Sequence, residues 1–575
     1  MPRAALPFTI LGLCLLAVTL RAWNLRDVFV EGRIYFVDAD CYSRMTRARQ
    51  VADGQVFVIR QHDFENWPQG TRPHTTAPMD WAIVAVKRVL DFGFWLGDRR
   101  GTSVLRGQTL DFAGALISPL VGMLTCGFLV AWARRQNLSG WLAVPLFFAI
   151  SPILVHGTVL GRPDHQSLLI LCLTVALAAE LALARGIARS WGIVAGVAWA
   201  LALWVSLYEP FLLLAVVSGF WLARDRRRFS DPALRPGWIA FGAVLLGAWA
   251  IDGWRLSWPD ETLRIAFANW QTTIGELAHL DPRTPLLYRW LGVGILLAPV
   301  ALLITATQAR RRGDAAHSTA ALLALVLLTA TFALTLWQLR WGYFLAIAFA
   351  LSLPWQFAAL RRAWIAWPIF LLALWPLAQE WDEKLFPDNH PELELETKRA
   401  LLRLEAIRLR EVAALMRTDD RRPFLAPWWL SPALAYWSGQ PGVAGSSHQS
   451  LPGIVASARF FTASDPSEAE RLVRELGVKW IVTDDPDRLV STSRALLART
   501  NEAAPPYVAH LHAVAEPRER VSADDLRTAS PEARAKLAEL ADRAEAAQLG
   551  SAAFSCASSN QFYKLFSVKD APPAP

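Results

Sequence analysis

The chain has 575 residues, 54% of them hydrophobic and 19% charged, with a formal net charge of +8. That balance excludes an ordinary soluble enzyme and fits a polytopic membrane protein with a sizeable aqueous part. The positive excess is largely arginine in short loops between apolar runs, with no base-reading motif beside it, so it reads as topology and not as a nucleic-acid footprint.

Apolar runs of spanning length fall at 6–23, 109–133, 141–159, 166–184, 190–206, 210–223, 237–252, 287–307, 318–337, 341–360 and 363–379, and a further one or two hidden spans would bring the total to about 11 to 13. The first run lacks a small-residue cleavage site before Arg21 and reads as an uncleaved helix. The loop after it, 24–108, contains an amphipathic stretch, Asp80–Trp95, expected to lie along the membrane interface.

Loops after alternate runs carry Arg134 and Arg135, Arg185 and Arg189, Arg224 with Arg226, Arg227 and Arg228, Arg310, Arg311 and Arg312, and Arg361 and Arg362. The positive-inside rule puts them in the cytoplasm with the N-terminus and turns the other loops, and everything after residue 380, outward. The chain then divides into a transmembrane part, 1–379, with outer loops at 24–108 and 253–286, and an outer part, 380–575.

In the outer part, Pro391–Arg417 has helical spacing, Pro423–Leu434 and Val478–Thr483 read as buried strands, and Glu468–Leu476 reads as a helix, which makes a mixed α/β domain. An Ala, Arg and Glu-rich stretch at 516–548 reads as a helical insertion, and the tail after Asp570 as disordered. The five cysteines have no spacing that suggests a disulfide framework or a zinc site.

The outward loops collect the acids. Asp38 and Asp40 flank Ala39, a pair that suits solvation or a hard cation such as Mg²⁺ or Mn²⁺. Asp164, in Gly161-Arg162-Pro163-Asp164-His165-Gln166, is placed to cap a helix and to bind metal. Glu276 and Arg340 lie in two further outer loops. A lipid-glycan transporter would instead place ionisable groups within the spans, and a scaffold has no need of carboxylates gathered at the membrane surface.

Thr273-Ile274-Gly275-Glu276 resembles the Thr-Ile-x-Glu motif of bacterial and archaeal oligosaccharyltransferase catalytic subunits. Asp40 is similar in position to that family's first-loop aspartate, Asp164 to its second acidic motif, and Arg340, in Gln338-Leu339-Arg340-Trp341-Gly342-Tyr343, to the arginine that contacts the lipid-linked pyrophosphate. The resemblance implies a C-type glycosyltransferase fold, monomeric, in a bacterial inner membrane with its α/β domain in the periplasm. It also implies a polyprenyl-pyrophosphate glycan donor, a polypeptide acceptor and Mg²⁺ or Mn²⁺. It assigns catalysis to Asp40, Asp164 and Glu276, the metal to these with Asp38 and His165, the donor pyrophosphate to Arg340, and acceptor contacts to Trp428, Trp429 and Thr273. Two further acceptor candidates come from position: Ser431, next to the place of the family's aspartate, and His448, just past the Trp pair, which could meet acceptor or donor.

Two departures matter. Trp428-Trp429-Leu430-Ser431-Pro432 carries Leu430 where the family's Trp-Trp-Asp-Tyr-Gly has its sequon-gripping aspartate, a charge-assisted bond of about 1.5 to 3 kcal/mol. Gln166 stands where a second carboxylate is frequent. The acceptor therefore stays open between a sequon asparagine and a lipid, a polysaccharide or another side chain.

Overall fold

Proline and glycine decide where an apolar run becomes one helix and where it becomes two. The computed structural model describes residues 5–73, 77–97, 107–137, 140–186, 190–253, 260–499, 506–515, 530 and 553–569; the expected helix at 516–548, apart from Ser530, and the tail after Asp570 lie outside them. Helix α1 (Ala5–Arg21) is followed by the short α2 (Leu25–Val28) and an antiparallel pair, β1 (Phe29–Val30) and β2 (Arg33–Ile34). Then come α3 (Ala39–Ala52), α4 (Ala77–Gly97), which contains the amphipathic stretch, and α5 (Thr109–Arg135).

The expected third run is broken. Pro152 has no N–H to continue the ladder, so α6 (Ala143–Ile150) ends and α7 (Pro152–His156) starts anew. Next are α8 (His165–Ala184), α9 (Trp191–Val205), α10 (Tyr208–Arg224), α11 (Arg235–Asp252) and α12 (Arg264–Thr272). The run at 287–307 also divides, because Gly292 takes φ +76° and closes α13 (Leu286–Leu291) before α14 (Ala298–Arg311). After α15 (Ala315–Trp337) and α16 (Gly342–Ala359), the last run splits into α17 (Ala363–Ala373) and α18 (Trp375–Leu385).

Among the described residues, five helices are long and apolar enough to cross a membrane: Thr109–Arg135, His165–Ala184, Pro232–Asp252, Ala315–Trp337 and Leu339–Ala359. Shorter apolar helices run over Pro7–Arg21, Trp191–Val205 and Ala363–Ala373. The Leu339–Ala359 helix is apolar all round and forms the centre, 83% of its apolar window being buried, against 11% for Pro232–Asp252 at the periphery. The arginine loops meet at one end of the bundle: Arg185 donates to the Gln136 carbonyl, Arg224 to Thr319 at 3.5 Å and Arg361 to Gln308 at 3.4 Å.

Beyond α18 lie α19 (Leu395–Leu415), β3 (Phe424–Leu425), α20 (Ser431–Ser438), α21 (Leu451–Thr462), α22 (Pro466–Glu475), β4 (Trp480–Thr483), α23 (Pro486–Leu496), α24 (Tyr507–Ala515), β5 (Phe554–Ser559) and β6 (Lys564–Val568). The sheet order is β3-β4-β6-β5, with β3 parallel to β4 and the other pairs antiparallel. The strand expected over 423–434 is two residues long, and Pro432 opens α20 in its place. This part seats directly on the loop over 24–108. Tyr42 of α3 meets Trp437 of α20 at 4.8 Å between ring centroids, within a buried cluster that includes Met45, Ala113, Leu409 and Tyr436.

Candidate active site

The acidic residues arrive at one place from the ends of separate elements. Asp38 caps α3, its Oδ1 accepting from the Cys41 N–H at 3.0 Å, which puts Asp40 in the first turn. Asp164 caps α8 and accepts from the His165 N–H at 2.7 Å. The turn before it needs Gly161, whose φ is +76° and where a Cβ would come within 2.7 Å of Val28 Cγ2. Glu276 lies on a 3-10 turn, Gly275–Leu277, and Arg340 on another, Leu339–Trp341. Bonds from Leu339 N to the Ala278 carbonyl (2.9 Å) and from Leu280 N to the Leu336 carbonyl (3.2 Å) stitch the two loops together.

Asp40 is exposed, yet walled by protein in a cleft open to solvent. Burial, followed by the charges of Asp38 and Asp164, pushes its carboxyl up to about 7. Asp164 behaves in the opposite way. Burial alone would raise it, but the His165 ring, at 2.6 Å, with Arg162 and Arg44, holds it well below the usual carboxylate range. Two carboxyls of different proton affinity therefore share one cleft.

Arg162 stands beside Asp164. Its buried guanidinium approaches Glu276 Oε1 at 3.1 Å and Asp38 Oδ2 at 3.6 Å, donates to Gln166 Oε1 at 3.3 Å and meets the His156 ring nitrogens at 3.0 and 3.2 Å. The Gln166 amide donates to both Glu276 oxygens, at 3.0 and 3.3 Å. His156 stacks on Tyr343 and reaches its hydroxyl at 2.9 Å. Arg340 forms an ion pair with Glu209, whose other oxygen accepts from Ser206 at 2.7 Å.

The expected metal ligands, Asp38, Asp40, Asp164, His165 and Glu276, share this neighbourhood but do not form a coordination shell. Among the described residues, no three His, Cys, Asp or Glu side chains stand where one ion could join them. Glu276 accepts from a guanidinium and an amide, and the His165 ring is bonded to Asp164. Arginine and an amide nitrogen offer no lone pair to a cation. The donor set, as arranged, does not fit Mg²⁺ or Mn²⁺.

The expected acceptor residues divide. Trp428 packs edge-on to Trp270 of the Glu276 loop at 6.2 Å and to Trp429 at 5.6 Å. The Trp429 indole N–H donates to Asp484 at 2.9 Å, under the Arg488 guanidinium. His448 faces Phe267 edge-on, and burial and then Arg340 push its pKa down to about 4, leaving a neutral ring. Thr273 spends its hydroxyl on the Trp270 carbonyl at 2.7 Å. Ser431 is buried and donates to the carbonyls of Ala426 and Pro427, so its hydroxyl is committed within its own helix start. Leu430 is buried in the apolar cluster with Tyr436 and Leu434, which makes an aspartate at this position a core carboxylate.

Reading by sequence missed Arg162, His156, Tyr343 and the partnership of Glu209 with Arg340. Arg162 stands two residues before Asp164 in the same turn, and its sign, a cation amid the acids of these loops, was the available signal.

No protein-family model matches the sequence, and no curated protein is significantly similar to it. Solved structures do resemble the fold. Archaeoglobus fulgidus oligosaccharyltransferase tethered to an acceptor peptide with an NVT sequon superposes with a TM-score of 0.57 at 15% identity, over 84% of this chain and 69% of that one. The same enzyme in complex with Zn and sulfate gives 0.55 at 16%, over 83% and 68%. ArnT from Cupriavidus metallidurans bound to undecaprenyl phosphate gives 0.50 at 14%, over 85% and 95%. At these identities the likeness speaks for architecture alone: the chain shares its fold with the archaeal oligosaccharyltransferase and with ArnT.

Proposed function

We propose that the chain transfers a glycan from a polyprenyl-phosphate or pyrophosphate donor to an acceptor polypeptide, on the outer face of a bacterial inner membrane and as a monomer. The observation that carries this reading is the convergence of Asp40, Asp164 and Glu276 with Arg162 and Arg340 in one cleft at the membrane end opposite the arginine loops. In the transfer the bond from sugar C1 to the phosphate oxygen breaks and the acceptor nucleophile bonds to C1. Its proton passes to Asp40, and the lipid leaves as its phosphate or pyrophosphate anion beside Arg340. Glu276, held by Arg162 and Gln166, orients the acceptor, and the Trp270–Trp428 contact carries the Glu276 loop against the outer part. ArnT binds undecaprenyl phosphate and the archaeal enzyme an acceptor peptide, which supports a lipid-phosphate donor and a peptide acceptor here.

A second reading has an observation of its own. Leu430 is core, so the family's sequon-gripping carboxylate has no equivalent at that position, and a non-sequon acceptor follows naturally. Competition between Asn-x-Ser/Thr peptides and the same peptides with Ala at the third position, scored by mass spectrometry, separates the two. Sequon preference above roughly a hundredfold, near the free energy of one to two charge-assisted bonds, favours sequon transfer. Glycan arriving on a lipid or polysaccharide and on neither peptide favours the other reading.

A further inference from the structure

Arg162 occupies the position where the sequence leads to the expectation of a metal ion. Its guanidinium bridges Asp38 and Glu276, which belong to two different outer loops, while its own backbone sits in a third beside Asp164. Its carbonyl accepts from Ser118 of α5, and His156 and Gln166 flank the charge, so the group is built into the fold and is not a surface arginine swung inward. Only 4% of the residue is exposed, and its Nε–H has no acceptor among the described residues.

The chemistry of the site argues in one direction. A divalent cation beside Asp38 and Glu276 would stand where a fixed positive charge already stands, and two cations a few ångströms apart repel. It would also need lone pairs on Glu276 that now accept from Arg162 and from both contacts of the Gln166 amide. Arginine is the side chain suited to such a post, since its planar fork meets carboxylates geometrically and it stays charged when buried.

We infer that Arg162 is the resident cation of this cleft, offsetting Asp38 and Glu276 and pinning the Glu276 loop to the head of α8 in the role that a divalent metal would otherwise fill. Arg162 acts here as a positioning residue. The inference rests on the glycan-transfer reading for the purpose of the cleft, but its test reads metal binding, so the two fail separately.

The test is a Mn²⁺ titration of the full chain in lipid nanodiscs, read by electron paramagnetic resonance. Wild type should show no stoichiometric site up to about 1 mM Mn²⁺. Arg162→Gln, which frees the carboxylates and removes the fixed charge, should gain one site at least about tenfold tighter, and Arg162→Lys, which keeps the charge, should not. A stoichiometric site in wild type, or no gain in a folded Arg162→Gln protein, overturns the inference. If Arg162→Gln does not fold, the wild-type titration decides: absence of the site upholds the inference and its presence overturns it.

Discussion

Arg340 is paired with Glu209, a carboxylate from the first turn of α10 that the Ser206 hydroxyl holds from the other side. The arginine proposed to meet the departing lipid phosphate is therefore aimed by a buried carboxylate. Glu209→Gln keeps the shape and removes the charge. It should raise the KM for the lipid donor by about tenfold, or 1.4 kcal/mol, with a smaller effect on kcat. Steady-state kinetics with varied donor checks this, and an unchanged donor KM counts against the aiming role.

Asp484 gives a pH dependence of stability. Burial lifts its carboxyl to about 6, against the help of the Trp429 N–H and Arg488. A carboxyl whose folded pKa is raised contributes stability that is fully present below its unfolded value, near 3.8, and is lost as pH rises through about 6. Asp484→Asn keeps an acceptor for Trp429 and cannot ionise, so it should melt higher than wild type at pH 7.5, by up to about 2 to 3 kcal/mol, and equally at pH 4. Thermal melts in detergent across that range check the sign.

Trp270 anchors the Glu276 loop in a buried cluster with Ala444, Leu451, Ile454 and Leu496. Trp270→Ala should cost about 3 to 5 kcal/mol locally. Hydrogen exchange over residues 264–280 should rise and transfer should fall, while α8 and α16 keep their protection.

The arginine loops predict which faces are accessible. In a Cys556→Ser background, needed because Cys556 is exposed, cysteine probes at Arg283 and Lys479 should label from the periplasmic side and probes at Arg227 and Arg311 should not. The reverse pattern would remove the common face on which the proposed chemistry depends.

Much of this was legible in the sequence because it depends on local signals. Charge alternation between apolar runs placed Asp40, Asp164, Glu276 and Arg340 at one end, and the helix-capping turn at Asp164 is there. The runs themselves were less legible. Pro152 and Gly292 cut two of them, since a period of apolar residues says nothing about one missing N–H or one left-handed φ. The cleft's internal partnerships were not legible at all, because Arg162 with Glu276 and Glu209 with Arg340 join residues more than a hundred positions apart. The burial of Leu430 and the use of the Ser431 hydroxyl within its own helix start were not legible for the same reason: their surroundings are set by how α20 meets α3, which no spacing along the chain records.

The most direct measurement is single-turnover transfer from a radiolabelled polyprenyl-pyrophosphate glycan by purified protein in nanodiscs, comparing wild type with Asp40→Ala. The account predicts glycan transfer with release of the polyprenyl product for wild type, and a loss of at least about a hundredfold for Asp40→Ala with an unchanged melting temperature, as expected for a general base worth 10² to 10⁴. Asp40→Ala protein that transfers at the wild-type rate, or wild type that binds the donor lipid and releases it with its glycan intact to every acceptor offered, would contradict it.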